Sequence, residues 1–400
     1  MIKPGPVFTP PQTPAARCLH LVRLNPIITR SELVEATGLS QPTITRATAA
    51  LLEAGLVQER TDLTRTRGRG RPTVPLEVAD SKWILAGIAI GTSRTHIALF
   101  DTMGRTLRED DIATPVARLS ESDFIEHIMA GVNRLTTGIS RTLVSVGVTT
   151  SGNVDEDGLV WASNLGWEGV DIAERLRYQF NVPVVVSSAI PAILGSETQS
   201  AELDKQENVL VLFADDSTGA ALSTEEGVTQ LVPLPTISSE LLNLKDAASE
   251  DNVSTQAVLD ALAVDDIHVN TLAKAAEVAE DNETARSILD ERARLLASIA
   301  ADLVVEHNPV TVVLAGSAFI DDPRAAKLFA SHIREFIAER RDGADIHALQ
   351  LRLIPTHQEI VRAIARAVAL DPLLRVPLSL QPSSPPAEAP TPRRRASLRG

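Results

Sequence analysis

Residues 31–72 read SELVEATGLSQPTITRATAALLEAGLVQERTDLTRTRGRGRP. Ser31 is a predicted N-cap, its side-chain oxygen free to accept an orphan helix N–H. Leu33, Val34 and Thr37 follow at helical spacing, and Gly38 supplies a turn. Ser40 caps a second predicted helix, with Pro42 placed early, where a missing N–H costs nothing. Ile44, Ala47, Leu51 and Leu52 repeat at the period of an inward helix face. That leaves Ser40, Gln41, Thr43, Thr45 and Arg46 at an exposed N-terminal end, the part of a recognition helix that reaches base edges in a major groove. Gly55 closes the helix, and Leu56–Glu59 opens a short strand.

Arg65, Arg67, Arg69 and Arg71 then alternate with Thr or Gly and stop at Pro72. An extended Arg-Gly-Arg-Pro element has the shape and charge for a narrow A·T-rich minor groove, where negative potential concentrates. A helix-turn-helix pattern alone is equally an ordinary helical hairpin, and a basic loop alone is equally a solvated surface. In this order, within some forty residues, they predict a winged helix-turn-helix that binds double-stranded DNA.

The rest of the chain has a different character. Net charge over all 400 residues is −14, yet residues 1–80 hold ten Lys/Arg against seven Asp/Glu. Phosphate would attract the front end and be repelled by the acidic bulk. The single cysteine, Cys18, excludes an internal disulfide framework and a thiolate zinc cluster within one chain. It falls in a predicted helix, Ala15–Leu24, as a small buried hydrophobe. No apolar run reaches membrane-spanning length, and residues 1–14 hold too many prolines for a signal segment, so a cytoplasmic protein with no membrane association is expected.

Four units are predicted: a disordered N-terminus (1–14), a winged helix (15–80), an α/β body (81–375) with a hinge near 187–200, and a disordered Pro/Arg tail (376–400). The body opens with a buried strand, Trp83–Thr92, then strands at Thr95–Asp101 and Thr106–Glu109. A helix over Ser122–Thr137, a strand over Val144–Thr149, a turn at Asn153–Gly158, a helix over Ile172–Phe180, a strand over Val182–Val186 and a helix over Ile190–Ser200 follow. The order of elements then begins again with strands at Asn208–Phe213, Gly219–Ser223 and Val228–Leu231. A helical section is predicted from Ser239 to His307, and strands at Val310–Ala315 and Leu349–Ile354 alternate with helices at Arg324–Phe336 and Glu359–Leu370. His96, His307 and His357 have no partner at metal-ligand spacing in the sequence, and no metal or cofactor is expected. Arg393–Arg395 reads as a solubilising run, and no function is placed there.

Taken together, GRGRP, GIAIGTSRTHIALFDTMGRTL, VGVTTSGNVDEDGLVWASNLGWEGVDIAERL and NPVTVVLAGSAF resemble the ROK family of repressors and sugar kinases, in order and spacing, over about residues 15–372. The resemblance implies a two-lobed sugar-kinase/actin-like (ribonuclease H-like) fold behind the winged helix, with a cleft that kinases use to phosphorylate sugars and repressors use to sense them. Three stretches depart from the kinase pattern. Ala89 stands where D-x-G-G-T places its carboxylate. Ser187-Ser188 replaces the Asn-Asp pair that carries the catalytic base, and a serine hydroxyl is no base near neutral pH. Asp215-Asp216-Ser217-Thr218-Gly219 replaces a Gly-rich phosphate loop, with carboxylates that repel ATP. The family's Glu/His and cysteine-rich loop has no counterpart between Gly227 and Asp246.

The expectation is therefore a transcriptional regulator, a repressor of carbohydrate-related genes, that acts as a homodimer or homotetramer on operator DNA and has no catalytic activity. Its DNA contacts are assigned to Ser40, Gln41, Thr43, Thr45, Arg46, Arg67, Arg69 and Arg71. A candidate cleft for a small sugar effector is assigned to Gly152, Asn153, Asn164, Ser187 and Ser188. The alternative is a ROK sugar kinase with a fused DNA-binding domain.

Overall fold

The computed structural model describes residues 7–64, 74–155, 157–200, 208–242, 244–247, 253–340 and 349–380. Three helices lead: α1 (Pro14–Leu24), α2 (Arg30–Thr37) and α3 (Gln41–Glu53). The strands β1 (Val57–Glu59) and β2 (Leu76–Val78) pair antiparallel, and Ile28 exchanges backbone hydrogen bonds with Leu76 on the other side of β2. This is a winged helix-turn-helix, with the wing loop springing from the β1–β2 hairpin. The cap of α2 lies two residues before the expected Ser31. Thr29 accepts from the Glu32 amide, and the Glu32 carboxylate accepts from the Thr29 amide. A reciprocal capping box satisfies two orphan donors where a lone serine satisfies one.

The body is built twice on one plan. Its first sheet uses β3 (Trp83–Ile90), β4 (Arg94–Phe100), β5 (Thr106–Ala113), β6 (Thr142–Thr150) and β10 (Val184–Ser188), in the order β10-β6-β3-β4-β5. Between β6 and β10 lie the small strands β7 (Asn153–Val154), β8 (Val160–Ala162) and β9 (Trp167–Val170) and the helix α5 (Ile172–Phe180); α4 (Glu121–Thr136) precedes β6. The helix α6 (Ala189–Thr198) then leads into the second sheet, β11 (Val209–Ala214), β12 (Thr218–Thr224), β13 (Gly227–Leu231), β16 (Thr311–Ala315) and β17 (Gln350–Leu353), ordered β13-β12-β11-β16-β17. In each sheet two hairpins precede two parallel additions.

The expected helical section from Ser239 is corrected at its start. Ile237–Ser239 (β14) and Leu244–Ala247 (β15) form a hairpin before α7 (Thr255–Val264), α8 (Leu272–Val278) and the long α9 (Glu283–His307). The helices α10 (Ser317–Ile320), α11 (Pro323–Arg340) and α12 (His357–Arg375) complete the chain order. Among the described residues no helix is long and apolar enough to cross a membrane.

Two helices change lobes. α6 leaves the first sheet and packs on β11, β12 and β13 of the second; α12 leaves the second and packs on β3, β4 and β6 of the first. α12 approaches so closely that Gly87 and Gly147 are required. A Cβ at Gly87 would collide with the Ala365 carbonyl, and one at Gly147 with the Val368 carbonyl.

Both expected disordered ends are partly corrected. Phe8 is 3% exposed, although its φ of 63° is unfavourable for a bulky residue. Its ring packs on Gly195 of α6, and its amide donates to Asp371 Oδ1 of α12 at 2.7 Å. At the other end Val376–Leu380 stays on the body, and Leu380 is 1% exposed. Leu380 shares one hydrophobic cluster with Leu19 and Val22 of α1, Leu51 of α3, Leu85, Phe100, Leu373 and Leu374. The expected 80/81 boundary falls between β2 and β3, but this core runs through it unbroken. Arg23 of α1 adds hydrogen bonds to the carbonyls of Thr102 and Met103.

Candidate nucleic-acid interface and interlobe cleft

Ser40 holds an extended backbone and caps α3, its Oγ 3.4 Å from the Thr43 amide and 2.8 Å from Thr43 Oγ1. Thr45 is exposed, and its Oγ1 donates to the Gln41 carbonyl at 2.9 Å. Gln41 and Arg46 are exposed, and Arg46 has no ion-pair partner among the described residues. Behind this surface, Ile44, Ala47, Thr48 and Leu51 are buried; Leu52, expected with them, is only half-buried. Thr48 takes the remaining inward position because its hydroxyl bonds back to the Ile44 carbonyl at 2.8 Å and accepts from Arg30 Nε.

The wing is anchored at its base. Arg60 pairs with Asp62 at 2.6 Å and with Glu77 at 2.7 Å, and its amide donates to the Pro75 carbonyl. The two carboxylates more than offset the charge of Arg60. Arg65, Arg67, Arg69 and Arg71 lie outside the described residues.

In the body, the five candidate cleft residues gather around the turn after β6. Gly152, at φ 84°, faces the Trp161 carbonyl too closely for any Cβ. Its own carbonyl accepts from Ser188 Oγ. Ser187 Oγ donates to the Ser188 carbonyl, and neither hydroxyl caps α6. Ser151 Oγ bonds Asn164 Oδ1 at 3.1 Å. Asn153 reaches across the lobes, accepting from Gln230 Nε2 of β13 at 2.9 Å.

The three positions that depart from the kinase pattern have concrete surroundings. Ala89 is 5% exposed in an apolar cluster with Val185, Ile190, Ile360 and Ile364. Ser188 is committed to Gly152. Asp215 turns its carboxylate onto the start of α10: Ser317 Oγ donates to Oδ1 at 2.9 Å, and the Ser317 amide lies 3.4 Å from Oδ2. The Asp215 carboxylate thus takes the Ser317 hydroxyl and faces the first amide of α10. Its carbonyl is held from behind by Thr255 and by Arg292, a 2% exposed guanidinium that also donates to the Val253 carbonyl. Burial pushes the Arg292 pKa down to about 10, against the opposing pull of Asp215, Asp216 and Asp322.

Two histidines that look isolated in the sequence gain carboxylate neighbours in space. His96 Nδ1 lies 2.9 Å from Asp111, and His357 lies 3.8 Å from Asp215 and 3.4 Å from Asp321. Among the described residues, no group of three or more His, Cys, Asp or Glu is placed to hold a metal ion.

A winged helix-turn-helix DNA-binding profile matches residues 19–58, and a ROK family profile matches residues 85–227. A transcriptional regulator of Mycobacterium tuberculosis is 32% identical over 336 residues, covering 78% of this chain and 76% of that protein. The chain belongs to the ROK family. It is a DNA-binding transcriptional regulator of that family. The DNA-binding transcriptional dual regulator NagC of Escherichia coli is 24% identical, covering 72% of this chain and 76% of its own length. Among solved structures, a ROK family transcriptional regulator homologous to Escherichia coli MLC superposes with a TM-score of 0.70 at 18% identity, over 90% of this chain and 96% of its own. A ROK glucokinase from Streptomyces griseus, solved with glucose and AMPPNP, superposes with a TM-score of 0.55 at 18% identity, over 72% of this chain and 99% of its own. The larger overlap with the ROK regulator extends beyond the kinase-like body. Both structural likenesses concern fold alone.

Sequence reasoning does not reach the Thr29–Glu32 capping box or the Phe8–Asp371 contact. The Thr29–Glu32 capping box had a readable T-x-x-E signal. The Phe8–Asp371 contact had none, since its partners are 363 positions apart.

Proposed function

We propose that this chain represses carbohydrate-related genes as a cytoplasmic homodimer and that its kinase-like body is catalytically inactive. Gln41, Thr43, Thr45 and Arg46, with Ser40 at the cap, meet bases and phosphates in the major groove, while Arg67, Arg69 and Arg71 enter the minor groove. The observation that carries the inactive-body reading is the Asp215 carboxylate seated on the Ser317 hydroxyl. Ala89 and Ser188 support it, since neither supplies a carboxylate for metal binding or proton removal. ROK-type repressors of sugar genes, such as the xylose repressor of Caldicellulosiruptor bescii, 21% identical to this chain, support the carbohydrate assignment.

In this reading a sugar enters beside Gly152, Asn153, Asn164, Ser187 and Ser188. The Asn153–Gln230 bond spans the two lobes, so an effector that engages Asn153 changes the lobe angle. The winged helix shares its core with the first lobe, and a changed lobe angle alters the spacing of two winged helices in a dimer. Such a switch requires an effector with different affinity for the two states.

The test is selection of bound DNA from the genome, then binding to the best fragment with and without candidate sugars, alongside a coupled assay of ATP turnover. An inverted repeat released by a sugar, with no turnover, is the expected result. Sugar-dependent ATP hydrolysis overturns the inactive reading. DNA binding that no sugar changes leaves the body a dimerisation scaffold and overturns the sensor.

A further inference from the structure

Arg23 of α1 and Arg366 of α12 converge on one turn of the first lobe. Arg23 Nε and Nη2 donate to the Thr102 and Met103 carbonyls at 3.1 and 3.2 Å. Arg366 Nε lies over Gly104, 2.8 Å from where a Cβ would stand. Both arginines line a recess of about 230 Å³, together with Ser196, Glu197, Gln199 and Ser200 at the end of α6. Sites for drug-sized ligands run to about 300–1,000 Å³, so this one suits a smaller group.

The charges lining it do not cancel. Glu197 is spent on Arg352, 2.7 Å away. Asp101 attracts Arg23, but its Oδ1 accepts from the Met103 and Arg105 amides. Arg366 is exposed and has no hydrogen bond or ion pair among the described residues. Arg23 Nη1 is buried without a hydrogen-bond partner among them. Burial first, and then the like charge of Arg366, push the Arg23 pKa down to about 10. The Ser196 and Ser200 hydroxyls donate to the Ile193 and Ser196 carbonyls, so positive charge, and not neutral donors, selects an occupant.

We propose that this recess binds a phosphate-type oxyanion, free or as a monoester, held by Arg366 and, as that exposed side chain turns, by Arg23 Nη1. Guanidinium N–H groups match the edges of such an anion and bond it more strongly than neutral donors do. The site shares no residue with the interlobe cleft. Its walls come from α1 of the winged helix and from α6 and α12, the helices that change lobes, so an occupant touches all three.

The probe is inorganic phosphate, titrated calorimetrically into the full chain at fixed ionic strength, with glucose 6-phosphate in parallel. One phosphate per chain should bind and should raise the melting temperature by mass action. Arg366→Gln should weaken binding about tenfold, as for loss of a charge-assisted contact, and should remove the thermal shift. Arg334→Gln, at an exposed arginine of α11, should do neither. Ala363→Glu, which sets a carboxylate in the recess, should abolish binding. Equal affinity for the two probes assigns the site to the free ion, and tighter binding of the ester assigns it to monoesters. Crystals soaked in tungstate should show the ion within hydrogen-bond distance of Arg366. No heat with either probe, or equal affinity in the unchanged chain and Arg366→Gln, overturns the proposal. A tungstate peak without phosphate binding in solution is an adventitious ion only and overturns it too. No DNA enters the titration, so its failure leaves the DNA-binding reading standing.

Discussion

Arg292 shows how one buried charge can hold a turn in place. Its guanidinium bonds the carbonyls of Val253 and Asp215, so Arg292→Met fills the volume but leaves buried carbonyls without donors. A loss of about 3 kcal/mol in stability is expected, measured by chemical denaturation. Ala89 gives the converse case. Ala89→Asp restores a kinase-like carboxylate to a position lined by Val185, Ile190 and Ile364. The variant should be destabilised by the burial of an unpaired polar group and should still fail to turn over ATP with any sugar. Turnover in that single variant would show that the other two departures are not disabling. At the DNA surface, Arg46→Ala should weaken binding to a selected duplex about tenfold, in line with loss of one good base or phosphate contact. Thr45→Ala, whose hydroxyl is already spent on the Gln41 carbonyl, should have a smaller effect.

Among elements, α12 decides the most. It carries the second lobe back onto the first sheet and continues through Leu373 and Leu374 to the winged-helix core. Gly147→Ala places a methyl group against the Val368 carbonyl. It should cost about 1–3 kcal/mol as an overpacking defect, and DNA affinity should fall with it because α12 supports α1. Phe8 is the strap between these parts. Phe8→Ala should lower stability by about 3 kcal/mol through the cavity left on α6, measured by thermal unfolding. The α3 helix needed no such support to be found: its cap, its proline and its apolar period were all local. The sequence offers both Ser31 and Thr29 as caps for α2, and only Glu32 folding back to the Thr29 amide chooses between them. β15 lies inside the stretch whose sequence reads as helix, because four residues are too few to show a strand period, and pairing with β14 supplies the order.

At the scale of the molecule, the lobes are connected by α6 and α12, and the Asn153–Gln230 bond joins them. Gln230→Ala should ease that link. If lobe angle controls the winged helices, operator affinity or its response to an effector should shift while overall stability changes by less than about 1 kcal/mol. Unaltered DNA binding and unaltered effector response would overturn the proposed coupling of lobe angle to the winged helices. The acidic body and the basic ends set the polarity of the whole chain, so DNA should meet it only from the winged-helix side, with a steep dependence on salt.

The sequence by itself determined the winged helix and the doubled strand order of the body, and the family resemblance marked where it departs from the kinase pattern. The first two are written in local caps and hydrophobic period, which act within a few residues. The tertiary structure alone decided that Asp215 seats on Ser317, that Phe8 reaches Asp371, and that Leu380 returns to the recognition helix. Each of these joins positions far apart in the chain, and burial in a shared core, which no local period encodes, selects the partner.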